Sequence, residues 1–183
     1  MDRRRWLRLA ATTLAAAPLG GLFTRTAVAS STLALRRDRN LHRLQDYIEG
    51  GRFPVNHYRD GIQAVLYDER SDIPCAMAAL MILDGHREHL LEAARKHNHI
   101  LIPALHEGPL FEWILYSGLT QEECALIQPS YPWKTRFDPQ GNSAEVTLAI
   151  AMHLQRVLDF LRTPEQTRSS LALATVRLPS PLD

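Results

Sequence analysis

The chain has 183 residues, of which 45% are hydrophobic and 22% charged, and its 21 basic and 20 acidic side chains leave a net charge of +1. This length suits one domain with a substantial core. The charges nearly balance and form no basic stripe, which argues against a nucleic-acid-binding protein.

The first 29 residues have the layout of a secretory leader. Arginines at positions 3, 4, 5 and 8 precede an apolar run from Leu9 to Phe23, and small residues follow in the sequence TAVAS. A positive head, a short apolar stretch and a small-residue end are typical of a signal peptide. The run is also shorter than the roughly 20 residues that span a bilayer comfortably.

The head of this leader resembles a twin-arginine (Tat) export signal. The sequence DRRRWLR supplies the paired arginines Arg3 and Arg4, one further residue, the aromatic Trp6, then Leu7 and a basic residue. Trp6 stands where phenylalanine is commoner, and the resemblance covers the leader alone. It implies recognition by the Tat translocase and a periplasmic or secreted location.

Removal of the leader by signal peptidase is expected after Ala29, because Ala27 and Ala29 fit its small-residue pocket. An uncleaved leader that anchors the chain is the alternative, whereas cleavage leaves no stable membrane anchor. The leader holds five arginines and one aspartate. Its removal leaves 16 basic and 19 acidic residues, and therefore a net charge of −3.

Residues 30–164 are predicted to form a mainly α, compact single-domain helical fold with at most one small β-hairpin. A short strand is predicted over Ile62–Tyr67, before a charged turn. The tail, residues 165–183, is expected to be poorly ordered. Apolar periodicity, caps and turn residues predict helices over Leu33–Glu49, Cys75–Leu83, His86–His97, Pro109–Ser117, Thr120–Gln128 and Asn142–Arg162.

The segment Cys75–Leu83 is apolar on every side, which predicts a helix buried at the centre of the domain, with Gly85 as its C-terminal cap. Thr120 and Glu123 fit a capping box. The last helix should place these residues near one face: Val146, Ile150, His153, Val157 and Phe160.

Cys75 and Cys124 are the two cysteines of the chain. Thiols tend to oxidise outside the cytoplasm, and a bridge that closes a loop of about 50 residues would stabilise the fold by roughly 4 kcal/mol. A Cys75–Cys124 disulfide is therefore expected. Two buried free thiols, or a reactive Cys75 at a helix start, are the alternatives.

Four histidines, His86, His89, His97 and His99, are the candidate metal ligands. His86 and His89 are three apart on a predicted helix, so their rings can share a face, and imidazole binds zinc and copper. The resemblance to Tat substrates also favours a metal, because proteins of that class often fold around a cofactor before export. No cofactor is predicted outright; zinc or copper binding stands as the alternative to polar surface histidines.

Three further groups have a chemical and a structural interpretation. Tyr131 and Trp133 lie between prolines and could anchor a ligand or pack on the core. Met77 and Met81 could be soft copper ligands or core residues. The carboxylates could form an acid–base pair or serve turns and helix starts: Asp68, Glu69, Asp72, Glu122 and Glu123.

Familiar catalytic signatures are missing from the sequence: there is no Gly-x-Ser-x-Gly elbow, phosphate loop, dinucleotide glycine motif or Cys-x-x-Cys. This favours an exported soluble binding or accessory protein of the bacterial cell envelope. Co-export with a protein partner that carries a cofactor would explain the Tat route. A metal-dependent enzyme that uses the histidine group is the alternative.

Overall fold

The structure is a computed structural model that describes residues 20–54, 65–99, 101–128 and 144–177. Within them, one antiparallel hairpin and a 3₁₀ turn at Ile102–Ala104 accompany seven α-helices. The expected mainly α fold with one small hairpin is confirmed. The elements are α1 (Gly20–Gly50), β1 (Tyr67–Asp68), β2 (Ile73–Pro74), α2 (Ala76–Leu83), α3 (Arg87–His97), α4 (Pro109–Tyr116), α5 (Gln121–Ile127), α6 (Ala144–Leu161) and α7 (Pro164–Arg177).

Helix α1 contains the predicted helix Leu33–Glu49 and begins earlier, at Gly20. It ends as predicted at the double glycine: Gly51 adopts a φ of +62°, and its N–H donates to the Ile48 carbonyl at 3.1 Å. Its buried side follows helical spacing and includes two polar side chains. These buried residues are Leu33, Arg37, Asn40, Leu41 and Leu44.

The hairpin pairs Tyr67 with Pro74 and Asp68 with Ile73. Buried Asp68 holds its turn together, because its carboxylate accepts from the Arg70 N–H at 3.1 Å and from the Ser71 hydroxyl at 2.5 Å. Of the predicted strand over Ile62–Tyr67, the structure describes residues 65–67, and of these only Tyr67 lies in β1. Residues 62–64 lie outside the described residues.

Helix α2 forms the centre of the domain, as predicted, and packs on α1, α3 and α5. Its C-terminus is a Schellman motif: the His86 N–H donates to the Met81 carbonyl and the Gly85 N–H to the Ile82 carbonyl, both at 3.0 Å. Gly85 has the left-handed φ of +89° that this motif requires. Burial is not complete all round, since Leu83 remains 56% exposed.

The face of α6 differs from the prediction. Phe160, predicted to share a face with Ile150 and Val157, is 47% exposed. Leu154, Leu158 and Leu161 are buried instead. Ile150 and Val157 are buried as expected. The buried stripe is therefore rotated toward the leucines, which repeat at the spacing of four and three that suits a helix packed against α1 and α5.

Helix α7 corrects the expectation of a poorly ordered tail for residues 165–177, the described part of the predicted tail. It packs against α1 and α6. Ser170 is buried, and its hydroxyl donates to Glu123 Oε1 at 2.6 Å. Gln166 Nε2 donates to the same oxygen at 3.0 Å. Because Glu123 is more than 40 positions from both residues in sequence, no local pattern indicated these contacts.

The ion pair between Arg37 and Glu123 ties α1 to α5 inside the protein. The two side chains are 2% and 1% exposed, and Arg37 Nη1 and Nη2 donate to Glu123 Oε2 and Oε1 at 2.7 and 2.8 Å. Arg37 also donates to the carbonyls of Gly118 at 3.2 Å and Leu161 at 2.9 Å. The bidentate pair and these carbonyls neutralise the two buried charges and occupy both terminal nitrogens of Arg37, whereas its buried Nε has no hydrogen-bond partner among the described residues.

Glu123 also completes the predicted capping box, which is confirmed. Its Oε2 accepts from the Thr120 N–H at 2.9 Å, and the Thr120 hydroxyl accepts from the Glu123 N–H at 3.2 Å. Burial raises the pKa of Glu123, but hydrogen bonds from Arg37 and Ser170 outweigh it and hold the pKa below its ordinary value of 4.5. The carboxylate is therefore ionised in the folded protein at neutral pH.

Gly118 lets α1 approach the turn between α4 and α5. A Cβ at this position would lie 2.3 Å from the Leu33 carbonyl oxygen and 2.6 Å from the Arg37 nitrogen. Its φ is +80°, a left-handed conformation. Both facts require glycine, since any side chain would push apart the two segments that the ion pair joins.

We expect Gly118→Ala to destabilise the fold far more than Gly85→Ala. Both glycines have positive φ, but a Cβ at Gly85 meets nothing within 4 Å. The strain of the left-handed backbone should cost about 1 kcal/mol at Gly85. The added clash should bring the loss at Gly118 to about 3 kcal/mol or more. Urea unfolding of both variants measures the difference; equal losses would contradict the close approach.

We expect Glu123→Gln to lower the free energy of unfolding at pH 7 by about 3 kcal/mol, because Arg37 is left as a buried, unpaired charge. The folded pKa of Glu123 lies below 4.5, so its stabilisation is complete above that pH and is lost as the pH falls below it. Urea unfolding from pH 7 to pH 3 should therefore show a flatter pH dependence in Glu123→Gln. The exposed neighbour, as Glu122→Gln, is the control and should keep the wild-type slope.

Candidate functional site

Three arginines of α1 project from one side of the helix. Arg36, Arg39 and Arg43 are spaced by three and four residues, which places them along one face. They line a cleft of about 690 Å³ that opens between α1, the turn joining α2 to α3, and α4. We call this site the arginine cleft. Its volume lies within the range of small-molecule sites.

The wall opposite α1 is built by the Schellman turn and the start of α3. Leu83, Asp84, His86 and His89 come from this segment. The His86 and His89 ring centroids are 5.9 Å apart. The turn positions Asp84, because the Asp84 N–H donates to the carbonyls of Leu80 and Met81 at the end of α2.

Asp84 is the fixed anion of the arginine cleft. Arg43 Nη1 donates to its Oδ1 at 2.5 Å, and the indole Nε1 of Trp113 donates to its Oδ2 at 2.9 Å. Burial raises the pKa of Asp84, but these hydrogen bonds and the charges of Arg43 and Arg39 outweigh burial and hold the pKa below its ordinary value of 3.8. Asp84 therefore stays ionised, with both oxygens occupied.

The three arginines differ in how far the protein uses them. Arg43 also donates to the Leu83 carbonyl at 3.0 Å, and Arg36 Nη1 donates to the Tyr116 carbonyl at 2.9 Å. Arg39 is 51% exposed, and its nearest carboxylate oxygen, on Asp84, is 3.5 Å away. The fork of Arg39 is therefore the one that remains open to a ligand entering the cleft.

The apolar part of the lining comes from α4 and the end of α2. Trp113 is buried beneath the cleft, with its indole N–H on Asp84. Tyr116 is 44% exposed and Leu83 is 56% exposed, and both border the cleft together with Pro109. Apolar surface beside a few polar groups that fix orientation is the usual composition of a ligand site.

The four predicted metal ligands are not brought together. His86 and His89 share the cleft, but His97 lies at the far end of α3, about 16 Å along the helix axis from His86. His99 follows His97 beyond that end. Among the described residues, no group of three or more His, Cys, Asp or Glu side chains is placed to bind a metal ion. Two imidazoles alone fall short of the ligand set of a zinc site.

Cys75 and Cys124 are free in the structure, where the sequence predicted a disulfide. Both thiols are buried: Cys75 is the N-cap of α2, and its Sγ donates to Gln128 Oε1 at 2.8 Å. Burial raises the pKa of Cys75 to about 12, and that of Cys124 well above 9.0. A protonated, buried thiol is a poor nucleophile, which disfavours a reactive Cys75.

Four of the other candidates have structural roles. Met77 and Met81 are buried in the core, and Glu123 serves the ion pair and the capping box. Asp68 closes the hairpin turn. Tyr131 and Trp133 lie outside the described residues, as do Arg3, Arg4, Trp6 and Leu7 of the export signal. Ala27 and Ala29 fall within α1.

The arginines of the cleft were missed as a site in the sequence. Their spacing was visible, but arginines on a helix beside an incomplete apolar stripe are indistinguishable from a solvated face. The break in that stripe was the usable signal: Arg37 and Asn40 occupy positions that continue the spacing of Leu33 and Leu44. Asn40 is indeed buried and donates to the Ser117 carbonyl at 2.9 Å.

Comparison with protein-family models, curated proteins and solved structures found no match to this chain. Among the described residues, no helix is both long enough and apolar enough to span a membrane. The leader and the geometry of the arginine cleft are the features of this chain that bear on its function.

Proposed function

We propose that this chain is an exported binding or accessory protein of the bacterial cell envelope that holds an anionic ligand in the arginine cleft. The location depends on the leader, with its paired arginines, apolar run and small-residue end. The binding role depends on the cleft. The observation that carries it is the half-exposed Arg39 fork beside a partly apolar lining.

The contacts of α1 are compatible with loss of the leader. Cleavage after Ala29 would remove residues 20–29 from α1 and leave Leu33, Arg37 and Asn40 in the mature chain. The ion pair to Glu123 and the hydrogen bond to Ser117 would both remain. All three arginines of the cleft also follow the cleavage point. The mature protein would thus keep the site and its support.

The cleft favours an anion because its guanidinium groups outnumber its carboxylates. Asp84 and Glu112 are the acidic side chains among the described residues that line it, against Arg36, Arg39 and Arg43. A guanidinium can bind a carboxylate or phosphate oxygen pair through two parallel hydrogen bonds. Low-polarity walls strengthen such pairs relative to bulk water.

The same geometry favours binding over acid–base catalysis. Asp84 is the best-placed carboxylate, but Arg43 and Trp113 occupy its two oxygens and its pKa is lowered. A catalytic base needs a pKa near the working pH and an oxygen within reach of the substrate proton. Asp84 has neither property. Its role is to hold Arg43 and Trp113 in place.

We expect export to depend on the paired arginines. Replacing both, as Arg3→Lys with Arg4→Lys, should leave full-length precursor in the cytoplasm, because the Tat receptor reads the pair. Wild-type protein should reach the periplasm or medium and begin at Ser30. Fractionation followed by N-terminal sequencing measures both outcomes.

The matched control for this experiment is Arg25→Lys, which keeps the charge at a leader arginine outside the pair. It should be exported like wild type. A wild-type product that begins at Met1 in the cytosolic fraction would refute the export half of the proposed function.

We expect organic anions to bind exported wild-type protein and to lose about tenfold or more of their affinity in Arg39→Gln. A hydrogen bond to a charged partner contributes roughly 1.5–3 kcal/mol, and 1.4 kcal/mol is about tenfold. Phenylacetate and phenyl phosphate are suitable probes, and neutral phenylacetamide tests the need for charge. Isothermal titration calorimetry gives the dissociation constants.

The control variant is Arg156→Gln, which removes an exposed arginine of α6 outside the cleft. It should bind like wild type and unfold at the same temperature. If neither anion binds, or if both bind Arg39→Gln as tightly as wild type, the arginine cleft is not the ligand site.

A further inference from the structure

The charges and exposed side chains of the arginine cleft narrow the class of ligand. This step rests on the proposed anion-binding function and deepens it. Among the described lining residues, three arginines face Asp84 and Glu112, so the formal charge is +1 with His86 and His89 neutral. One negative charge on the ligand would balance this charge, whereas a second would not be compensated.

Asp84 places its own negative charge next to the open arginine. Its Oδ1 lies 3.5 Å from Arg39 Nη2, so a ligand oxygen bound to the other side of the Arg39 fork would share this guanidinium with Asp84. Asp84 is itself held by Arg43 and Trp113 and has no freedom to withdraw. A dianionic group would therefore be repelled more strongly than a monoanion.

Tyr116 and Leu83 contribute apolar surface to the lining on the two sides of Arg39. Arg36 reaches the Tyr116 carbonyl and Arg43 reaches the Leu83 carbonyl, so Arg39 lies between the two along α1. Tyr116 and Leu83 expose about half of their surface beside the cleft. A ligand that carries an aromatic or aliphatic body would cover this surface and gain free energy from each buried carbon.

We propose that the arginine cleft binds an organic monocarboxylate, with the carboxylate on the Arg39 guanidinium and the apolar body against Tyr116 and Leu83. The carboxylate can belong to a small free acid or to the carboxyl terminus of a peptide, because the two present the same group. Inorganic phosphate and phosphomonoesters are the class that Asp84 and Glu112 select against.

Calorimetry on the exported protein at pH 8 separates these classes. Phenyl phosphate then carries about two negative charges, and phenylacetate carries one. We expect phenylacetate to bind at least tenfold more tightly than phenyl phosphate, and more tightly than acetate, which lacks the apolar body. N-Acetylphenylalanine represents the peptide terminus. Tighter binding of N-acetylphenylalanine than of phenylacetate indicates a peptide carboxyl terminus as the ligand, and tighter binding of phenylacetate indicates a small free acid.

Glu112→Gln tests the charge balance with little risk to the fold. Glu112 is exposed at the cleft, and its neutralisation raises the formal charge of the lining to +2. We expect phenyl phosphate to gain several-fold in affinity relative to phenylacetate. The matched control is Glu107→Gln, an exposed carboxylate outside the cleft, which should leave the ratio of the two dissociation constants unchanged.

The outcomes separate this inference from the proposed function. If phenyl phosphate binds as tightly as phenylacetate or more tightly, and Arg39→Gln abolishes that binding, the cleft is an anion site of another class and the monocarboxylate assignment is wrong. An unchanged ratio in Glu112→Gln would also overturn the charge argument. If no anion binds, the proposed function itself fails.

Discussion

The buried pair of Arg37 and Glu123 is the interaction on which the rest of the structure depends. Removing two charges from water is costly, and the cost is offset only by close pairing together with further hydrogen bonds to both groups. Its additional partners come from three other segments: the Gly118 carbonyl before α5, the Leu161 carbonyl at the end of α6, and the side chains of Gln166 and Ser170 on α7. A network of this kind tolerates one arrangement of α1, α5, the end of α6 and α7, and thus determines how they pack.

The same pair determines which face of α1 reaches the candidate site. With Arg37 and Leu44 directed into the core, helical geometry turns Arg36, Arg39 and Arg43 toward α4 and the end of α2. Gly118 fixes the distance, because α1 packs against its backbone where no Cβ fits. The arginine cleft is thus a consequence of core packing, and its support consists of buried residues that touch no ligand.

The sequence grouped His86 and His89 with His97 and His99, but the structure brings only the first two together. His86 and His89 do lie together, because a one-turn spacing at a helix start brings rings onto one face. His97 is the last residue of α3 and His99 follows it, so both lie at the other end of the helix. The first pair lines the arginine cleft together with Asp84 and the arginines of α1, the residues on which the proposed anion site depends.

Local physics was readable from the sequence alone. The helix limits at Gly51 and Gly85, the capping box of Thr120 and Glu123, the central position of α2 and the mainly α fold all follow from caps and periodicity within a few residues. The buried partner of Arg37, the order of α7 and the arginine cleft were decided only by tertiary structure. They join residues some 40 to 125 positions apart, as with Ser170 and Glu123 or Arg37 and Leu161. The sequence around a charged helix residue does not show whether its side chain is solvated by water or paired with a carboxylate that is distant in sequence.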